Sequence, residues 1–165
     1  MIIKCKKNYI YIDQFKLKCC VGKAGIKKNK VEGDKATPAG LYKIGSLFYR
    51  SDRIKSLNTK LNKKIIKKEM AWCDDANSKK YNKLFYANKD TRVSHEKLYK
   101  NGSSYDLLIP IYYNYFRPKK NKGSAIFIHL TNNFKPTIGC VGLLKKDFLI
   151  LCKIINKKTK ILISN

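Results

Sequence analysis

Apolar and polar residues alternate over Ile2 to Ile12, and apolar residues cluster over Phe15 to Val21 and Leu41 to Tyr49. These are signatures of short strands, with Asn8, Gly22 and Gly40 supplying turns between them. From Ser51 to Ser104 the pattern dissolves into long polar stretches, in which Trp72, Tyr81, Phe85 and Leu98 are scattered apolar anchors. Lys60 to Lys68 is compatible with a basic helix, and Ser51 to Asn62 has no period. The segment is therefore expected to be loop-rich with short helical pieces. So long a connection in a compact domain is often functional, and it is a candidate lid or wall over a cleft.

Asp106 to Tyr113 is again dense in strand formers, although Pro110 argues for an edge or a bulge rather than a fully paired central position. Ser124 to Leu130 has strand composition. Leu144, Phe148, Leu151, Cys152 and Ile155 fall at helical spacing, with basic residues at the end that complement the macrodipole. Lys160 to Ile163 reads as a closing strand. No repeat, linker or low-complexity block divides residues 1–165, so one mainly β domain with a single packed helix is expected.

Composition modifies this picture in two places. The hydrophobic fraction of 44%, with 7 Phe and 11 Tyr, excludes a disordered chain despite 29% charged residues. The formal net charge is +26, and lysine supplies most of the 37 basic residues. Two readings stay open. The joint excess of lysine, isoleucine and asparagine is what an AT-rich genome gives through codon bias, while a field of this sign also concentrates polyanions. Nucleic acid is the weaker partner, because the lysines are dispersed and no RNA-recognition signature or helix-turn-helix organises them.

Candidate chemistry lies in Ala125 to Leu143. On a strand Ala125, Phe127 and His129 point to one face, and Ile126, Ile128 and Leu130 to the other. Asn132, Asn133 and Pro136 then favour turning, which brings Cys140 back beside His129. A cysteine nucleophile needs a base and donors for an oxyanion, and a turn over Ile138, Gly139 and Cys140 can present its N–H groups for that purpose. A lone cysteine is otherwise a small buried hydrophobe, and a lone histidine often only a satisfied core or surface group.

The segment His129 to Cys140, ending Thr137-Ile138-Gly139-Cys140, resembles the catalytic motif of the L,D-transpeptidases (YkuD-type domain): a histidine, a loop, then Ser/Thr-x-Gly-Cys. Further stretches are similar to the compact branch of that family found in alphaproteobacteria. They are Glu32-Gly33-Asp34 through Thr37-Pro38 and Gly40 to Tyr42; Tyr49-Arg50 with Asp52-Arg53 and Trp72 to Asp75; and Tyr105-Asp106 through Asn114 into Gly123 to Phe127. Together they cover roughly Val21 to Leu151. Two positions depart from the pattern: Ile138 stands where many members carry histidine or arginine, and Gly142 where they carry asparagine or arginine. The loop between His129 and Cys140 is also shorter than in many members.

The resemblance implies a β-sandwich or barrel-like fold with a helix following the cysteine. It also implies Cys140 as nucleophile, His129 as base oriented by a backbone carbonyl, and no metal or organic cofactor. The implied substrates are peptidoglycan stem peptides, attacked to give a thioester. A second stem amine, water or a free D-amino acid would then resolve it, giving transpeptidase, L,D-carboxypeptidase or exchange activity. A non-catalytic wall-binding domain is the alternative, against which the presence of both His129 and Cys140 argues. Anionic wall polymers would suit the positive charge.

The remaining residues carry plainer expectations. His95 lies in a polar segment and reads as a surface or loop residue, Asp74 and Asp75 as turn or cap residues, and Thr37 to Gly40 as a tight turn. Arg50, Asp52 and Arg53 either grip stem carboxylates or form a structural ion pair with Asp74 or Asp75, the latter preferred. Cys5, Cys19, Cys20, Cys73, Cys140 and Cys152 show no metal or redox spacing and are expected to be mostly free thiols, which suits a reducing compartment. The family's substrate lies outside the cytoplasmic membrane, yet Met1 to Asp13 offers no apolar run of signal-peptide length and no segment reaches transmembrane length. Export by another route, a misplaced start and an internal role all stay open.

Overall fold

In the computed structural model, which describes Met1–Asn165, the N-terminal alternation becomes three antiparallel strands: β1 (Ile2–Lys6), β2 (Tyr9–Ile12) and β3 (Phe15–Cys20). Ile3, Cys5, Ile10, Ile12, Leu17 and Cys19 turn inward, and the intervening lysines face solvent. Short strands β4 (Ile26–Lys27) and β5 (Thr37–Pro38) pair in parallel, so Thr37-Pro38 is extended rather than a tight turn. Thr37 Oγ1 accepts the Gly22 N–H at 2.8 Å, and this holds the segment flat against the neighbouring chain. Leu41 to Tyr49 splits into β6 (Gly40–Lys43) and β7 (Leu47–Tyr49).

The expected helix at Lys60 to Lys68 is instead strand β8 (Lys63–Ile65), parallel to β7. Leu61 and Ile66 flank it and are both buried, one in each of two separate apolar clusters. Five residues span about 17 Å extended but only about 8 Å as a helix, so the extended form lets both anchors reach their clusters. The polar stretch is loop-rich, as expected, but its regular pieces form a small sheet rather than helices: β9 (Met70–Cys73) lies between β10 (Leu84–Tyr86) and β11 (His95–Lys97). Its only helical piece is a 3-10 turn, Ser103–Tyr105. His95 is thus a strand residue, its Nδ1 2.7 Å from the Val93 carbonyl and its ring edge-on to Phe85.

Strand β12 (Leu107–Pro110) lies inside the main sheet between β7 and β13 (Phe127–Leu130), not at an edge. Pro110 is tolerated because it ends the strand, where its carbonyl accepts the Gly45 N–H at 2.8 Å and no donor is needed. Strand β14 (Val141–Leu143) follows, then helix α1 (Lys145–Ile154), flanked rather than extended by Leu144 and Ile155, then β15 (Lys160–Ser164) between β1 and β6. The ten main strands run β6-β15-β1-β2-β3-β14-β13-β12-β7-β8. The curled sheet wraps a core into which α1 inserts Phe148, Leu151 and Cys152.

Strands β12 and β13 separate two apolar layers. Ile126, Ile128 and Leu130 enter the main core, whereas Phe127 enters a second cluster with Trp72, Leu108, Tyr105 and Cys140. The small sheet covers that second face, with Trp72 edge-on to Phe127 at 5.2 Å between ring centres. The mainly β, sandwich-like architecture with one helix after the cysteine agrees with the sequence expectation.

Candidate active site

Strands β13 and β14 are parallel and adjacent, joined by the ten residues between Leu130 and Val141. The register sets Ile128 against Val141 and His129 against Gly142. Cys140 therefore lies level with Phe127, on the same face as Phe127 and His129, one diagonal step from the histidine. The return of the loop is pinned at Thr137: its N–H donates to the Val21 carbonyl at 2.9 Å, and its carbonyl accepts the Lys23 N–H at 2.8 Å. The Thr137 hydroxyl donates to the Cys140 carbonyl at 2.6 Å.

Gly139 and Gly142 are the glycines this turn requires. At φ +143°, Gly139 occupies a conformation other residues avoid, and a Cβ there would lie 3.0 Å from the Ala36 carbonyl oxygen. A Cβ on Gly142 would stand 2.6 Å from Cys20 Sγ. Cys20 thus leaves no room for a side chain at Gly142.

Cys140 is 5% exposed, and its Sγ accepts the Phe127 N–H at 3.3 Å and donates to the Ala125 carbonyl at 3.4 Å. Burial pushes the thiol up to about 12, against the opposing pull of the Phe127 N–H. Burial likewise depresses His129 below the usual imidazole value, although the bond to Leu130 opposes it. The resting pair is thus a neutral thiol beside a neutral imidazole. Since a carbonyl oxygen can only accept, the 2.8 Å contact between His129 Nδ1 and the Leu130 carbonyl places the ring proton on Nδ1 and leaves Nε2 as a free acceptor.

His129 and Cys140 line one cavity of about 380 Å³, together with Lys100, Tyr105, Asn132 and Ile138. A second cavity of about 230 Å³ meets it at Glu96, Tyr105, Ile138 and Cys140 and carries Lys30, Glu32, Asp74 and Ser124 but neither His129 nor Lys100. Of the three turn N–H groups, that of Gly139 is directed at Thr137 Oγ1 at 3.1 Å. Those of Ile138 and Cys140 have no protein acceptor. Ile138 itself is 73% exposed at the junction of the two cavities.

The sequence marks Tyr105 only within the resemblance, and Asn82, Glu96 and Lys100 have no expected role at the site. Asn82, nearly buried in the polar stretch, accepts the Trp72 indole N–H at 2.9 Å and the Ala125 N–H at 3.1 Å through Oδ1, and donates through Nδ2 to the Tyr113 and Asn114 carbonyls. It fixes Ala125, the acceptor of the Cys140 thiol. Glu96, Lys100 and Tyr105 form the opposite wall. Tyr105 packs 5.4 Å from the imidazole centre, and its phenol is raised well above the usual value by burial and by neighbouring Cys140 and Glu96. No local period marks these residues, since only the pairing of distant strands assembles them.

The arginines are structural, but with other partners than Asp74 or Asp75. Arg50 forks onto Asp52 at 2.8 and 2.6 Å, and Arg53 bonds Asp106 at 2.8 Å. Asp75 holds a turn by accepting the Asn77 N–H at 2.9 Å, whereas Asp74 lines the smaller cavity with a buried Oδ1 that has no partner. All six cysteines are free.

The L,D-transpeptidase catalytic-domain model (YkuD) matches residues 6–163, so the chain belongs to that family. Its fold is similar to two crystal structures of the helical cell shape determining protein Pgp2 from Campylobacter jejuni, one of them a point mutant. Each gives a TM-score of 0.52, at 16% and 17% identity, covering 99% of this chain. The chain spans about half the length of those proteins, 47% and 46%. No curated protein matches it by sequence. No helix is long and apolar enough to cross a membrane.

Proposed function

We propose that residues 1–165 form a single catalytic domain, a cysteine-dependent L,D-transpeptidase that acts on peptidoglycan stem peptides through a thioester acyl-enzyme. The observation that carries this reading is the shared face and cavity of Cys140 and His129, with Nδ1 tied to the Leu130 carbonyl and Nε2 free. His129 Nε2 takes the thiol proton as Sγ attacks the carbonyl between the L-centre of the third stem residue and the terminal D-alanine. The N–H groups of Ile138 and Cys140, with Gly139 shaping the turn, receive the oxyanion. The protonated imidazole then gives its proton to the departing amine, and the thioester remains.

An amine from a second stem closes the cycle as a cross-link between third-position residues. Water gives L,D-carboxypeptidase activity and a free D-amino acid gives exchange. Because thiol and imidazole are both neutral at rest, proton transfer accompanies attack. The Sγ must also leave the Ala125 carbonyl to meet Nε2. The usual association of the family with the cell envelope supports a working site there, where the +26 charge would favour anionic wall polymers. The role of Pgp2 in determining helical cell shape supports a similar use in wall shaping.

The test is intact-protein mass spectrometry after incubation with a carbapenem, whose strained amide acylates such a thiol. A single adduct, absent from Cys140→Ala and strongly slowed in His129→Ala, is expected. No adduct on folded, reduced protein would overturn the assignment and bring a non-catalytic wall-binding or nucleic-acid-binding role forward.

A further inference from the structure

The two cavities that meet at Cys140 are not equivalent, because His129 lines only the larger. In the acyl-enzyme chemistry proposed above, on which this inference rests, the leaving amine must receive a proton from His129 Nε2. The arriving amine must surrender one to the same atom. Both amines therefore occupy the larger cavity, and the acyl chain extends along the other side of Ile138. In the terminal D-alanine the carbon bearing the reacting nitrogen also bears a carboxylate, so the larger cavity must accommodate an anion next to the amine.

One fixed cation stands there. Lys100 is half-withdrawn from solvent and its Nζ pairs with the Glu96 carboxylate. The same Nζ lies 4.0 Å from the centre of the Tyr105 ring, which in turn packs on the imidazole. Its backbone is clamped by Arg50, whose Nη1 donates to the Lys100 carbonyl at 2.7 Å. The charges of Glu96 and Lys100 both act, with opposite sign, on His129 and Cys140, which places the pair near the reacting atoms. An ammonium has three donors, and one bond to Glu96 leaves the others for a ligand. Lys135 on the rim of the same cavity is exposed and lacks such support.

We infer that Lys100 is a specificity-determining residue whose ammonium binds the carboxylate adjacent to the reacting amine, both in the departing D-alanine and in the incoming acceptor. The acceptors favoured by this site are amines that carry a free carboxylate on the same carbon, such as a free D-amino acid. In the return step the acceptor nitrogen bonds the thioester carbon as the C–S bond breaks. The amine proton passes to Nε2, and from Nε2 to Sγ, restoring the thiol. A neutral acceptor amide lacks the ion pair and competes less well.

The experiment offers the purified protein a tetrapeptide donor ending in D-alanine together with equal concentrations of isotope-labelled D-alanine and D-alaninamide. Mass spectrometry then reads the ratio of the two exchange products and the Cys140 thioester. In the wild type D-alanine is expected to win, and Lys100→Met to narrow that ratio by roughly tenfold, the order of one charge-assisted contact. Lys100→Arg, which keeps the cation, should retain most of the preference, and it is the deciding variant if Lys100→Met melts at a markedly lower temperature. An unchanged ratio in Lys100→Met, or its loss in a normally folded Lys100→Arg, would overturn this inference while the thioester left the transpeptidase reading standing. Absence of any Cys140 thioester in the wild type would overturn both.

Discussion

Arg50 Nη1 lies 2.7 Å from the carbonyl oxygen of Lys100, joining residues fifty positions apart. The same guanidinium forks onto Asp52 and stacks 3.5 Å from the centre of the Tyr99 ring. Arg53 adds bonds to the Asn101 and Gly102 carbonyls and to Asp106. Two arginines thus hold the wall that carries Lys100 and Tyr105 against His129, without touching the nucleophile themselves.

Arg50→Ala should therefore lower stability by about 1–2 kcal/mol, because the buried guanidinium's bond to the Lys100 carbonyl and its stack on Tyr99 are lost, whereas the half-exposed Asp52 is re-solvated. Amide exchange should quicken most across residues 99–106. Arg50→Lys cannot reproduce the fork and the stack together and should recover only part of the loss. Uniform exchange across the chain in Arg50→Ala would mean that the brace is not local.

The paired pKa directions define an activity profile. His129 acts as base only when neutral, and burial holds it below 6.5. The acid limb of Cys140 acylation should accordingly fall below pH 6.5, with the rate flat above it through neutrality. Alkylation of Cys140 by iodoacetamide needs the thiolate, and the thiol is pushed up to about 12. Its rate should be far below that of an ordinary thiol at pH 7.5 and rise about tenfold per pH unit to beyond pH 10. Rapid, pH-independent alkylation of Cys140 at neutrality would show a preformed thiolate instead.

The sequence carried the strands with strict alternation, the helix after the cysteine and the His129–Cys140 pair, because each is encoded by a local period or a short motif. Residues 51–104 are loop-rich as their composition predicts, but the regular pieces among them are strands, not helices. Their strands, three or four residues long, are too short to show a period, and Met70 and Trp72 are buried by Phe127 and Leu108 from far along the chain while Ala71 and Cys73 are buried by Phe85. The same holds for Glu96, Lys100 and Asn82. Their importance comes from pairing β9 with β11 and β10, which no local pattern announces. Pro110 misled because a proline at a strand's last residue costs no ladder bond.

Gly142 offers a test of how this chain accommodates its departure from the family pattern. Gly142→Ala forces a Cβ to within 2.6 Å of Cys20 Sγ and 3.2 Å of Thr131 Cβ. It should destabilise by about 1–3 kcal/mol, as overpacking does. Cys20→Ala in the same chain removes the nearer obstacle, so urea denaturation of the two singles and the double should show a favourable coupling of about 1 kcal/mol or more. Thr131 limits the rescue. Strict additivity would mean that the strand shifts to accept the methyl without involving Cys20.

The buried thiols also set an alkaline limit on the fold. Burial pushes Cys140 and Cys152 up to about 12 from an ordinary value near 9. Between these values the unfolded chain releases protons that the folded chain retains, so stability falls as pH rises. The contribution is fully present below about 9 and is lost as pH approaches 12. Each such thiol should steepen the fall by about 1.4 kcal/mol per pH unit within the window. Cys152→Ala costs cavity energy at every pH but removes one titrating group. The plot of unfolding free energy against pH, measured in urea under reducing conditions, should therefore be lower yet shallower by about one proton above pH 9. A parallel downward displacement with no change in slope would show that Cys152 ionises in the folded protein as readily as in the unfolded chain.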